Sequence, residues 1–379
     1  MQFKETRQQE MVRELARKFA ERELRPIAAK LDDLAQYPKE TLIKAGELGF
    51  MGMPIPKEYG GSGTDYVSHV IAMEEMSKAC GATGVIVQTH VALCCWPILT
   101  YGTEEQRQKY LPELTSGRKK GAFALTEANA GTDAAGMQTV AVDMGDYWLL
   151  NGSKIFISGG GHADVYIVIA LTDRSKGPKG MSAFIVEKGL PGFTTPNTEN
   201  QMGIRASVMS ELLFEDVKLP KDALLGKPGQ GFKVAMTSLD VGRIGIAAQA
   251  LGIAQGAFDC TVSYMKTRKQ FGKPLYKFQA LAFEMADMET RIEAARLLLY
   301  SAANTRDLGL PASVSAARAK LYCSETAMYV TTKAVQFHGG YGYTKDYPVE
   351  RMMRDAKITE IYEGTSEVMK MVISGEIFS

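Results

Sequence analysis

The 379-residue sequence predicts an α+β fold in which a compact β-unit is inserted between two helical regions. Three observations carry this. Apolar residues recur at helical spacing through about the first 120 positions. Between residues 147 and 220 they gather into short β-branched and aromatic runs punctuated by Gly, Pro and Asn, and from Gly231 to the end helical periodicity returns in long segments. At about 100–200 residues per domain, the length accommodates two or three domains. Their expected bounds are 1–119 (helical), 120–228 (β) and 229–379 (helical).

In chain order, Phe3, Met11, Val12, Leu15, Ala16 and Phe19 are spaced to share one face of an amphipathic helix. Pro38 can open a second helix and Gly49 close it, with Leu42, Ile43 and Leu48 as its apolar side. The Pro- and Gly-dense segment 54–65 is a loop. From Ala79 to Thr103 there is no charged residue, a length that raises the question of a membrane span. Gly81, Gly84, Gln88, Thr89, His90 and Pro97 interrupt it, which favours a buried helix. Another helix follows and ends at Gly117. Strands are expected over 147–158, 164–173, 180–188 and 210–220. No long helical pattern separates them, so an antiparallel barrel or sandwich is predicted. Segments 278–309 and 311–340 are long amphipathic helices joined by the Gly309 and Pro311 stop, as in an antiparallel bundle.

Hydrophobic residues make up 45% and charged residues 23%, the balance of an ordinary globular chain rather than a disordered one. With 44 Lys and Arg against 43 Asp and Glu, the formal charge of +1 offers no basic excess for nucleic acid or an anionic membrane. The five cysteines have no CxxC spacing and fit reduced, buried thiols. The opening MQFKETRQQE lacks the apolar stretch of a signal peptide and is not a typical transit peptide. A cytoplasmic location, rather than the mitochondrial matrix, is expected. No zinc ligand set, nucleophile elbow, P-loop or GxGxxG occurs, so no metal site is predicted.

Three segments carry chemical signals. FALTEANAGTDA (123–134) offers hydroxyls and bare amides that could hold a polar ligand edge, although a plain loop accounts for it equally well. KTRKQFGKPLYKFQ (266–279) sets Arg268, Phe271 and Gln279 around a helix break; Arg268 could pair with a phosphate or simply be solvated. In the C-terminal run, Glu363 precedes a last helix that Thr365 or Ser366 could cap, with Glu367 in its first turn. Glu363 is either a surface carboxylate or a base raised towards neutral pH by an apolar cleft.

RDAKITEIYEGTSE, QFHGGYGY, RKQFGKP, LDVGRIGIAAQALGIAQGA and FALTEANAGTDA, in that combination and nearly end to end with NGSKIFIS and GMSAFIVEKGLPGF, resemble the acyl-CoA dehydrogenase family. The similarity is greatest to the bacterial short-chain, butyryl-CoA type and its enoyl-CoA-reducing relatives. The resemblance implies a helical N-terminal domain, a middle β-barrel and a C-terminal four-helix bundle. It also implies FAD as cofactor, a homotetramer or dimer of dimers, and an electron-transfer flavoprotein as redox partner.

By that resemblance Glu363 is the base that removes the α-proton of an acyl-CoA thioester. Relatives that carry the base elsewhere have LDxER, where this sequence reads LDVGR; Gly242 cannot be a base. The resemblance assigns Phe123, Leu125, Thr126, Thr132, Phe156, Ile157 and Ser158 to the flavin ring and its phosphates, with Ala128 and Phe156 standing where Pro and Trp are usual. It assigns Arg268, Phe271, Gln279, Gln336, Gly339 and Gly340 to the pyrophosphate and adenine, partly from a neighbouring subunit, and Thr365 and Glu367 to flavin contacts after the base. The resemblance assigns His338 only to packing near FAD. Asp240, Arg243, Tyr362, Gly364 and again Thr132 fall to the substrate, where Gly364 lets the chain pass close to the thioester. By the same resemblance the helix around Val87 to Ile98 lines the acyl pocket, and Trp96 either shortens or reshapes that pocket or is simply core.

The expected activity interconverts a short acyl-CoA and its 2,3-enoyl-CoA. Alternatives are an enoyl-CoA reductase for an aryl or other non-butyryl substrate in an electron-transfer flavoprotein complex, and a catalytically silent assembly subunit. Oxidase and monooxygenase relatives fit less well, being generally longer or lacking the YEGT Glu.

Overall fold

The computed structural model describes residues 4–379. Helix α1 (Arg7–Phe19) starts at a reciprocal cap: Thr6 Oγ1 accepts from the Gln9 N–H (3.3 Å) and Gln9 Oε1 from the Thr6 N–H (3.0 Å). Its buried face is Gln9, Ala16 and Phe19, with Val12 packed beside them. Met11 is 62% exposed and Leu15 is also exposed, so the expected apolar face is wider than the one the fold covers. Phe3 lies outside the described residues. A π-turn (Ala20–Leu24) leads to α2 (Ala28–Leu34), neither of which the apolar spacing had marked.

Helix α3 (Lys39–Glu47) begins after Pro38, and Gly49 follows it with φ +81°. Leu42 is buried, but Ile43 and Leu48 are exposed. Helix α4 (Tyr66–Ala79) is followed by α5 (Gly81–Thr89), a π-segment (His90–Cys95) and α6 (Trp96–Tyr101). The stretch Gly81–Tyr101 is long and apolar enough to cross a membrane, yet 89% of its window is buried inside the fold. It is a core helix. Helix α7 (Glu104–Thr115) is capped by Thr103 and stops before Gly117, whose φ is +71°.

The central unit is one eight-stranded sheet of β1 (Gly121–Ala124), β2 (Val140–Asp143), β3 (Tyr147–Ser158), β4 (Val165–Leu171), β5 (Met181–Glu187), β6 (Phe193–Thr194), β7 (Met209–Pro220) and β8 (Leu224–Leu225). The order is β6-β7-β3-β2-β4-β5-β8, with β1 on β4. The sheet is mixed rather than purely antiparallel: β1 and β2 both run parallel to β4. The chain between β1 and β4 contains the β2–β3 hairpin, so a parallel pair forms here without a crossover helix, and strands of four residues are too short to show alternation.

All seven residues of β4 are buried because both faces are covered. Tyr166, Val168 and Ala170 meet Trp148, Leu150, Phe184 and Phe214 inside the curled sheet. Val165, Ile167, Ile169 and Leu171 meet Cys94, Ile98, Leu111, Leu114 and Val234 on the helical side. That second face locks the sheet to the helices and fixes where the loop after β1 lies.

The C-terminal part comprises α8 (Gly231–Thr267), the small hairpin β9 (Lys269–Gln270) and β10 (Lys273–Pro274), α9 (Gln279–Asp307), α10 (Ser313–His338), α11 (Val349–Lys357) and α12 (Ser366–Ile377). Helix α8 packs against α4, α9 and α10, and α12 against α10. Ile244, Ala247, Ala248, Leu251 and Ala254 of α8 share one core with residues of α4 and α10. All five cysteines are free and only Cys260 is partly exposed.

Candidate active site

A cavity of about 560 Å³ opens where the three regions meet. Thr89 and Leu93 line it from the charge-free helix, Leu239 and Arg243 from α8. Phe123, Leu125, Thr126 and Thr132 come from β1 and its following loop, Phe156, Ile157 and Ser158 from the end of β3. Tyr362, Glu363, Gly364 and Thr365 complete it from the turn before α12. Sequence positions more than two hundred residues apart thus converge. Trp96 does not line the cavity: its ring meets Tyr101 edge-on at 6.0 Å and lies under the Arg306 guanidinium at 5.2 Å.

Glu363 sits at φ +52° and Gly364 at φ +101°, two successive residues in the region of the map that side chains disfavour. The turn is closed on the far side by Thr365, the N-cap of α12, whose Oγ1 accepts from the Val368 N–H at 3.3 Å. Both Glu363 carboxyl oxygens are buried and neither has a hydrogen-bond partner. One of them lies against the bare Cα of Gly242: a Cβ there would come 2.0 Å from it. Burial pushes the Glu363 pKa up to about 8, against the opposing pull of Arg243 and Lys320.

Two cations hold the backbone of this turn. Arg243 Nε donates to the Glu363 carbonyl at 3.2 Å, and Lys320 Nζ donates to the Gly364 carbonyl at 2.6 Å. Asp240 does not line the cavity; it accepts from Arg243 Nη1 at 2.7 Å and orients that side chain. Tyr362 donates its hydroxyl to Gln249 Oε1 in the core. Glu367 is exposed on the first turn of α12 and does not line this cavity.

Along the opposite wall Phe156 takes φ +60°, beside an irregularity in the pairing of β3 with β7 between Lys154 and Ile157. The loop after β1 is anchored from beneath by a buried ion pair of Lys154 Nζ and Glu127 at 2.7 Å. Glu127 also accepts from the Gln138 and Thr139 N–H groups, and Lys154 donates to the Leu125 carbonyl. A buried ion pair so fully hydrogen-bonded fixes geometry more than it adds stability.

A second cavity, of about 460 Å³, gathers Arg268, Gln336, Gly339 and Gly340 with His338 and Tyr264. His338 stacks on Tyr264 at 4.2 Å and its Nδ1 lies 2.7 Å from the Ala334 carbonyl. A Cβ on Gly339 or Gly340 would meet nothing within 4 Å, so the backbone there is open. Phe271, 93% exposed, and the exposed Gln279 border neither cavity.

The apolar spacing did not single out Lys320, Glu127 or Lys154. Lys320 carried a signal that could have been found: it stands on the stripe of Ala316, Cys323 and Ala327, where a charged residue has no solvent. Among the described residues no His, Cys, Asp and Glu cluster is placed to hold a metal ion.

Comparison with known proteins accounts for this arrangement. The descriptions "Acyl-CoA dehydrogenase, N-terminal domain", "middle domain" and "C-terminal domain" match residues 6–118, 122–217 and 229–378. The chain is 60% identical over 378 residues to a short-chain specific acyl-CoA dehydrogenase of Clostridium acetobutylicum, covering 100% of both chains. It is 50% identical to the caffeyl-CoA reductase-Etf complex subunit CarC of Acetobacterium woodii, covering 97% of each. The solved structure of butyryl-CoA dehydrogenase from Megasphaera elsdenii superposes with a TM-score of 0.98 at 50% identity, covering 100% of both chains. The chain belongs to the acyl-CoA dehydrogenase family, whose members are flavin-dependent oxidoreductases acting on CH–CH bonds.

Proposed function

We propose that this family member is an FAD-dependent oxidoreductase that interconverts a short-chain acyl-CoA and its 2,3-enoyl-CoA, with Glu363 as the base. The observation that carries the reading is a carboxyl buried without a partner at the wall of a ligand-sized cavity, with a pKa of about 8. A carboxylate in water is too weak a base for an α-proton; desolvation strengthens it and keeps its protonated form available for the reverse reaction.

The residues present fit FAD. The first cavity has apolar walls set with the hydroxyls of Thr126, Thr132 and Ser158, as an isoalloxazine requires. The second has the Arg268 guanidinium beside the open backbone of Gly339 and Gly340, as a pyrophosphate requires. Thr365 and Glu367 follow the base as further contacts, and Phe271 and Gln279 serve a neighbouring subunit of a homotetramer. FAD, when bound, supplies the acceptor for the hydride leaving the β-carbon.

The chain's own residues do the rest. Glu363 takes the α-proton. As it leaves, negative charge grows on the thioester oxygen, and a donor aimed at that oxygen lowers the barrier. Among the described residues the Glu363 N–H has no acceptor, so it is free for this role. Gly364, without a side chain, leaves room for the thioester, and Tyr362 lines its approach. Arg243, oriented by Asp240, faces the CoA end, and Thr89 and Leu93 bound the acyl group.

Electrons pass to or from an electron-transfer flavoprotein in the cytoplasm, and the domains divide at 119/120 and 228/229. The similarity to the Acetobacterium woodii reductase subunit favours a second reading, reduction of an aryl or other non-butyryl enoyl-CoA in an electron-transfer flavoprotein complex.

An anaerobic spectral titration of the purified protein with saturated butyryl, propionyl and arylpropionyl esters and their enoyl counterparts tests the proposal. One saturated ester should bleach the flavin, and Glu363→Gln should bind flavin and ester yet lose nearly all turnover. Turnover by that variant defeats the assignment of the base, and a protein without flavin defeats the proposal.

A further inference from the structure

Lys320 is completely buried on α10, and a buried ammonium needs a reason. Its Nζ donates to the Gly364 carbonyl at 2.6 Å. One residue earlier, Arg243 Nε from α8 donates to the Glu363 carbonyl at 3.2 Å. The pinned residues are the two with positive φ, and between them they project the carboxyl onto the bare Cα of Gly242. A turn in this conformation holds only where its surroundings over-determine it, and here the restraint comes from two helices with a cation each.

The geometry points to Lys320 as a positioning residue: with Arg243 it clamps the consecutive carbonyls of Glu363 and Gly364, and its charge favours the ionised carboxyl of Glu363. This rests on the reading of Glu363 as the base.

The charged and titratable groups facing the pair are Arg243 from α8, the phenols of Tyr66 from α4 and Tyr362 in the turn, and Glu360 and Glu367 on either side. Arg243 and Lys320 alone oppose the desolvation that raises the Glu363 pKa. Burial lowers the pKa of Lys320 itself to about 8, and Glu363 is the foremost group holding it up. The two groups therefore support each other's charged forms. A lysine kept only to fill space would be replaceable by Met.

The test compares Lys320→Gln, Lys320→Met and Lys320→Arg in the flavin-loaded protein. Two readouts are followed: the acid limb of kcat/KM for ester oxidation, and the infrared band of the protonated carboxyl assigned by its loss in Glu363→Gln. Oxidation needs ionised Glu363, so the rate of the unmodified protein rises with pH through about 8. Removing a cation disfavours the anion, so both midpoints should move up by about one pH unit or more in Gln and Met, a tenfold loss at pH 7 regained at high pH. Arg should keep both near their original place.

Equal loss at every pH with an unmoved infrared midpoint would make Lys320 structural only and overturn the inference. Arg243→Gln carries the same expectation from the other carbonyl, so the clamp remains testable if a Lys320 variant misfolds; an unmoved midpoint there overturns it too. Turnover by Glu363→Gln would overturn the assignment of the base instead, while the infrared midpoint still judges the clamp.

Discussion

Glu363 and Gly242 are a matched pair, each explaining the other. The carboxyl occupies the space where any other residue at 242 would place a Cβ, 2.0 Å from its oxygen. Gly in the middle of a 37-residue helix costs about 1 kcal/mol relative to Ala, so a packing reason is expected, and the carboxyl is that reason. Gly242→Ala should leave the helix and flavin content intact while displacing the Glu363 carboxyl, the proposed base. A displacement of about 1 Å lowers turnover by roughly 10²-fold, measured as kcat/KM. An active variant with an undisturbed pH profile would show that the carboxyl does not rest there during turnover.

At the scale of elements, the turn before α12 depends on how that helix begins. Thr365 accepts the Val368 N–H and ends the strained pair of residues by starting a helix immediately after them. Thr365→Ala should lower stability by about 1 kcal/mol, read as a lower denaturant midpoint. It should also lower turnover more than a surface cap would, because fraying of α12 releases the Glu363–Gly364 turn. The charge-free helix makes the complementary point: Gly81–Tyr101 matches a membrane span by composition, but it lies between the sheet and α8 and lines the cavity with Thr89 and Leu93. Composition reports that a segment is buried; packing decides in what.

Considered as a whole, the molecule separates the proposed cofactor residues into two cavities and leaves Phe271, Gln279 and Glu367 outside both. Phe271 stands at φ +50° on the tip of the β9–β10 hairpin, almost fully exposed, in a backbone conformation that bulky side chains disfavour. Arg268→Ala should weaken flavin retention with little change in folding, because Arg268 lies at an open cavity wall. Flavin content after dialysis measures it, and unchanged content would remove Arg268 from the pyrophosphate site.

The sequence by itself determined the order of helical, β and helical parts, because local periodicity reports local structure: 147–158 is strand β3 to the residue, and 279–307 and 313–338 are helices within the expected bounds. It also marked Glu363, through the motif around it. Only the tertiary structure decided which apolar faces are covered, so that Met11, Leu15, Ile43 and Leu48 stay exposed while Lys320 is buried. It decided as well that β1 and β2 run parallel to β4, and that Trp96 stands away from the cavity. The physical reason is the same in each case. Burial, strand pairing and the pKa of a carboxyl depend on what approaches a residue from distant parts of the chain, and the Glu363 carboxyl reaches a pKa of about 8 because the fold buries it, against the pull of Arg243 from α8 and Lys320 from α10.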